Sequence, residues 1–129
     1  MAKRPVLSRA EIEIARLLWE MESASVREIH DAISKTRDID FSTVQTYLRR
    51  LESKGYARTK LEGRVRIYSP RVKAATVIRE TVNDMIDRLF GGQTMPLMQH
   101  LVQDGKVTRK ELAELRKQID QLEQEVQDD

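Results

Sequence analysis

The stretch Asp40-Phe41-Ser42-Thr43-Val44-Gln45-Thr46-Tyr47-Leu48-Arg49-Arg50-Leu51-Glu52-Ser53-Lys54-Gly55 decides how the rest of the chain is read. Val44, Tyr47, Leu48 and Leu51 recur at helical spacing, which places them on one inward face. Asp40 or Ser42 is suited to cap the start, and Gly55 ends the helix after Lys54. With that face committed to a core, Ser42, Thr43, Gln45, Thr46, Arg49 and Arg50 are left wholly or partly outward. Short hydroxyls and an amide therefore sit near the helix start, and guanidinium groups sit further along.

Past Gly55 the period changes. Tyr56-Ala57-Arg58-Thr59-Lys60-Leu61 and Val65-Arg66-Ile67-Tyr68 alternate around Glu62-Gly63-Arg64, which predicts a short basic hairpin closed off by Pro70. Upstream, Ser8-Arg9-Ala10-Glu11 and Ser25-Val26-Arg27-Glu28 are both capping boxes. The first opens a helix to about Glu22 whose inward stripe is Ile12, Ala15, Leu18 and Trp19, with Ile14, Leu17 and Met21 beside them. The second opens a short helix with Val26, Ile29 and Ile33 inward. Only Ser23 and Ala24 separate the two, so they must cross steeply, as in a helix-turn-helix.

Three helices followed by a basic hairpin make a winged helix-turn-helix, in which the third helix lies in the major groove of DNA and the hairpin touches the neighbouring backbone or minor groove. The expected fold is mainly α with a small β-hairpin wing. On it, Ser42, Thr43, Gln45, Thr46, Arg49 and Arg50 become candidate DNA contacts. A threonine methyl meets thymine, an amide meets adenine, and a guanidinium reaches phosphate or guanine. Arg64, beside Gly63 at the hairpin tip, is the candidate wing contact, supported by Lys60 and Arg66. A polar helix start and a tip arginine also occur as merely solvated surface. Tyr56, Tyr68 and Trp19 are expected to pack the core.

The remainder follows a different pattern. Ile78, Val82, Met85, Ile86, Leu89 and Phe90 predict a helix ended by Gly91-Gly92. Thr94 opens a short helix, and Thr108-Arg109-Lys110-Glu111 is a third capping box. After it Leu112, Leu115, Ile119, Leu122 and Val126 advance in a heptad seam on an otherwise charged helix. Such a seam needs cover. We expect residues 1–72 to form a DNA-binding domain and 73–129 a helical dimerisation domain. The pairing residues would be Ile78, Val82, Met85, Leu89, Leu112, Leu115, Ile119 and Leu122. The alternative is that these helices fold back on the N-terminal domain.

Composition narrows the function classes. In 129 residues, 40% are hydrophobic and 34% charged, consistent with one compact domain, or with one small domain plus an appended assembly element. No apolar run is long enough to span a bilayer, and Met1-Ala2-Lys3-Arg4-Pro5 is not followed by a signal-peptide core, so a cytoplasmic protein is expected. The absence of cysteine excludes disulfides, thiol nucleophiles and thiolate metal sites. The net charge of +2 conceals an asymmetry, because residues 1–72 carry +5 and residues 73–129 carry −3. Phe41 to Arg71 holds 8 basic residues against Glu52 and Glu62, an excess suited to a polyanion, although a solvated face would look the same.

Catalysis has little to use. His30 and His100 lie in different segments, both expected at the surface, and His100 with Asp104 offers only two metal ligands. No phosphate loop, Gly-x-Ser-x-Gly or dinucleotide fingerprint is present. A metal-dependent hydrolase lacks ligands, and neither a cofactor nor a metal is called for. A winged-helix protein adaptor that leaves the basic face idle is the alternative to DNA binding.

Thr43 to Leu51 followed by Lys54-Gly55, then Glu62-Gly63-Arg64-Val65 through Tyr68-Ser69-Pro70, resembles the penicillinase-repressor family of bacterial transcriptional regulators. Leu7-Ser8 through Leu17-Leu18-Trp19 and Ser25-Val26-Arg27-Glu28-Ile29 fit as well. The resemblance implies a homodimeric winged-helix repressor occluding a promoter at a palindromic operator, with entwined C-terminal helices. It also implies that Thr43 and Thr46 meet bases and that Arg64 lies in the wing. In antibiotic-responsive members a membrane metalloprotease sensor triggers cleavage at a point that aligns with His100-Leu101. The family's Asn-Phe bond is absent there. Copper-responsive relatives carry a cysteine metal motif that this chain lacks.

Overall fold

The structure, a computed structural model, describes residues 4–127. Ser8 starts helix α1 (Arg9–Met21). Its hydroxyl accepts the Glu11 amide at 3.2 Å while the Glu11 carboxylate accepts the Ser8 amide at 2.7 Å. Two amides that a helix start leaves without partners are thereby satisfied. Ser25 and Glu28 repeat the arrangement at the start of α2 (Val26–Ile33). The joint between them does more than the sequence suggests, because Ala24–Ser25 forms a short strand, β1.

Helix α3 runs from Phe41 to Ser53. Asp40 holds its N-cap position through the backbone, its carbonyl accepting the Thr43 and Val44 amides at 3.1 Å. The Asp40 carboxylate makes no capping bond, and Ser42 lies inside the helix, so neither side chain caps as expected. Strands β2 (Ala57–Glu62) and β3 (Val65–Pro70) form the hairpin, with Glu62 opposite Val65 and Ala57 opposite Pro70. Strand β1 pairs with the other edge of β3, Ala24 opposite Tyr68, giving an antiparallel sheet of order β1-β3-β2. The wing is thus anchored to the helix-turn-helix by main-chain hydrogen bonds as well as by packing.

The core gathers Ile14 and Leu18 of α1, Ile29 and Ile33 of α2, and Val44, Leu48 and Leu51 of α3, with Tyr56, Ala57 and Tyr68 from the wing. Burial foremost, and then the charge of Glu52, push the Tyr68 phenol above its usual pKa. Trp19 is half-buried against this cluster, and its indole N–H donates to the Val72 carbonyl at 3.0 Å.

Among the described residues, one charged residue is in the core. Glu11 is 1% exposed, whereas Ile12, expected inward, is exposed. The capping box draws the Glu11 carboxylate inward, where the Lys54 ammonium from the end of α3 meets it at 2.7 Å and also donates to the Val6 carbonyl at 3.0 Å. The inward row of α1 is therefore Glu11, Ile14, Ala15 and Leu18. Burial alone raises the Glu11 pKa. The hydrogen bond from Lys54, those from the Ser8 amide and hydroxyl, and the Lys54 charge outweigh it and leave the carboxyl below its ordinary value.

The chain divides into two compact units after Glu80, inside helix α4 (Ala74–Leu89). That boundary lies beyond Val72 because Val72 and Val77 pack on the core and Arg4 pairs with Glu80 at 2.8 Å. The second unit continues with α5 (Met95–Gln103) and α6 (Arg109–Gln127). The third capping box is formed between Thr108 and Glu111, whereas the Thr94 side chain makes no capping bond.

Leu48→Ala should lower unfolding free energy by about 3 kcal/mol in urea titration, the usual result of emptying a fully buried leucine site. Since the Glu11 pKa is depressed on folding, the stability it provides is complete above its unfolded value near 4.5 and is lost as pH falls through the lower folded value. Thermal melts across that window should fall more steeply for the native chain than for Glu11→Gln.

Candidate nucleic-acid interface

What α3 presents outward follows from what it buries. Val44, Leu48 and Leu51 are fully buried at 0% exposure, so the opposite side is turned to solvent. Ser42, Thr46, Arg49 and Arg50 are exposed there, and Thr43 and Gln45 are half-buried at its margins. The Thr46 hydroxyl donates to the Ser42 carbonyl at 3.0 Å. With its proton committed, the oxygen keeps only acceptor capacity for a further partner. Arg50 lies over the Tyr47 ring, 5.7 Å from its centroid, which restricts a long side chain that would otherwise be free.

The wing supplies the rest. Gly63 takes a φ of +64° at the hairpin tip, and Arg64 follows it, exposed. Arg66 is exposed on β3. Lys60 is exposed on β2 but lies 3.4 Å from Glu62, which offsets part of its charge. Of the basic residues from Phe41 to Arg71, Lys54 is the one turned inward, toward Glu11; Arg49, Arg50, Arg58, Lys60, Arg64, Arg66 and Arg71 are all exposed.

Two residues near this face escape the sequence pattern. Phe41, the first residue of α3, is 43% exposed despite being aromatic. His30 is half-buried rather than at the surface. Its Nε2 lies 2.8 Å from the Ile39 carbonyl, and its ring meets Phe41 edge-on with centroids 5.7 Å apart. Helical spacing sets Phe41 beside Val44 and Leu48, so periodicity gives no sign that it stays exposed.

Ile78 at the end of the first unit, and Val82, Met85, Leu89, Leu112, Leu115, Ile119 and Leu122 in the second, are each more than a third exposed in the single chain. His100 is exposed, 3.7 Å from Asp104. Among the described residues, no group of three or more His, Asp or Glu side chains is placed to hold a metal ion, and no helix is long and apolar enough to cross a membrane.

Residues 7–121 match the family described as penicillinase repressor. The chain is 29% identical over 115 residues to the penicillinase repressor of Bacillus licheniformis, covering 89% of this chain and 90% of that protein. It is 26% identical over 117 residues to the penicillinase repressor of Staphylococcus aureus, covering 90% of this chain and 93% of that protein. The solution structure of the Bacillus licheniformis BlaI monomer in complex with the blaP half-operator superimposes with a TM-score of 0.50 at 36% identity, covering 58% of this chain and 92% of that chain.

The wing tip tests the local geometry. Nothing lies within 4 Å of a Cβ added at Gly63, so Gly63→Ala meets no clash and only the positive φ opposes it. A destabilisation of about 1 kcal/mol by thermal melting is expected, without loss of the hairpin.

Proposed function

Because the chain belongs to the penicillinase repressor family of DNA-binding transcriptional regulators, we propose that it acts as a homodimer occluding a promoter at a palindromic operator, with α3 in the major groove and the wing on the flanking backbone. It is a repressor and not an enzyme. The observation that carries the groove assignment is the outward row of Ser42, Thr46, Arg49 and Arg50 on a helix whose opposite face is fully buried. A helix so held offers its polar side chains in one fixed orientation.

In this reading residues 1–72 read DNA and residues 73–129 pair two copies. Thr43, Gln45 and Thr46 meet base edges, Arg49 and Arg50 reach guanine or phosphate, and Arg64, Lys60 and Arg66 hold the phosphate backbone. Pairing is supported by the exposed apolar rows of the second unit, since two linked modules gain effective concentration that one lacks. The protein works in the cytoplasm. His100 and Leu101 are exposed on α5, so a membrane metalloprotease sensor acting through tail cleavage has an accessible segment there. His-Leu in place of Asn-Phe points to a different cleavage specificity.

A mobility-shift titration on the chain's own promoter fragment should give a saturable complex whose affinity falls steeply with salt, as about six or more phosphate contacts per dimer require. Binding that is absent at low salt, or indifferent to it, would overturn the proposal. Arg64→Ala should weaken all sequences alike and flatten the salt slope by roughly one for each phosphate that the wing no longer neutralises. Thr46→Val removes the hydroxyl acceptor but keeps a methyl, and should change preference at one base pair per half-site by about 1 kcal/mol.

A further inference from the structure

Phe41 is an aromatic residue that the fold leaves outside the core at the leading end of α3. The same helix buries Val44, Leu48 and Leu51 completely, yet 43% of the Phe41 surface stays in solvent. Its position is fixed. His30, reaching from α2, closes on it edge-to-face at 5.7 Å with planes 70° apart, and the same imidazole lies 2.8 Å from the Ile39 carbonyl just before the helix. An exposed ring held this way loses little freedom on meeting a partner. Helical side chains also lean toward the N-terminus, so Phe41 projects past the first turn of α3.

Phe41, Gln45 and Arg49 are spaced four residues apart on α3, which aligns them in one surface ridge. Along it an apolar ring is followed by an amide and then a guanidinium. The major groove offers one apolar feature, the C5-methyl of thymine, and aromatic side chains are among the groups that contact it. We propose that Phe41 is a specificity-determining residue that reads a thymine methyl in each half-site, with His30 as the positioning residue that holds its ring. The inference rests on α3 being the groove-reading helix and extends that reading to a residue of opposite chemistry from the polar contacts.

The test uses the full chain and its promoter fragment, in which each thymine of the protected region is replaced singly by deoxyuridine. That exchange removes one methyl group and leaves base pairing intact. For the native chain, one position per half-site should weaken binding about fourfold, the effect of withdrawing one methyl-sized contact from burial. Phe41→Ala should bind thymine and deoxyuridine versions equally at that position, while Phe41→Leu should keep the native ratio. His30→Ala should reduce the ratio without altering the salt slope. A native chain indifferent to every thymine methyl, or an alanine variant that keeps the native ratio, would overturn the proposal while leaving groove reading by α3 intact. Failure to bind the unmodified fragment would overturn both.

Discussion

Burial of one face of α3 is the constraint on which the rest depends. Val44, Leu48 and Leu51 meet Ile14, Leu18, Ile29 and Ile33 in a single cluster. Each step along a helix turns about 100°, so displacing the buried set by one residue would swing Ser42, Thr46 and Arg49 away from their common direction. The apolar contacts therefore do more than stabilise. They choose which side chains are offered, and they hold the helix at a fixed rotation.

Electrostatics works through the same frame. Lys54 ends α3 by reaching back to Glu11 at the start of α1, so one cation of the basic segment is used inside the molecule to tie two helices together. A pair whose acid is fully enclosed is sensitive to loss of either partner, since the remaining group loses its compensation. The other cations stay in solvent along α3 and the wing. There each contributes little to folding and remains available to a polyanion. The opposite charge of the second half keeps the protein near neutrality overall while the first half stays positive.

Much of this was legible in the sequence because it is encoded locally. A serine or threonine three residues before a glutamate announced three helix starts, and all three boxes form. The change from helical period to alternation at Gly55 announced the hairpin, and the outward set of α3 followed from its inward set. What was not legible depends on distant partners. Strand β1 is two residues long, too short to show alternation, and exists because β3 offers it an edge. Glu11 reads as a surface acid until Lys54, 43 residues away, supplies its counter-charge. In its place Ile12, which the periodicity put inward, faces solvent. Phe41 gains its fixed position only when His30 folds against it.

The most direct test of the central claim is methylation interference on the promoter fragment, which reports contact at guanine N7 in the major groove. If the exposed face of α3 reads DNA in two paired copies, interference should appear in two symmetric clusters about 10 base pairs apart, or a multiple of that, on one side of the duplex. Interference confined to minor-groove positions, or complex formation unaffected by any guanine methylation, would contradict it.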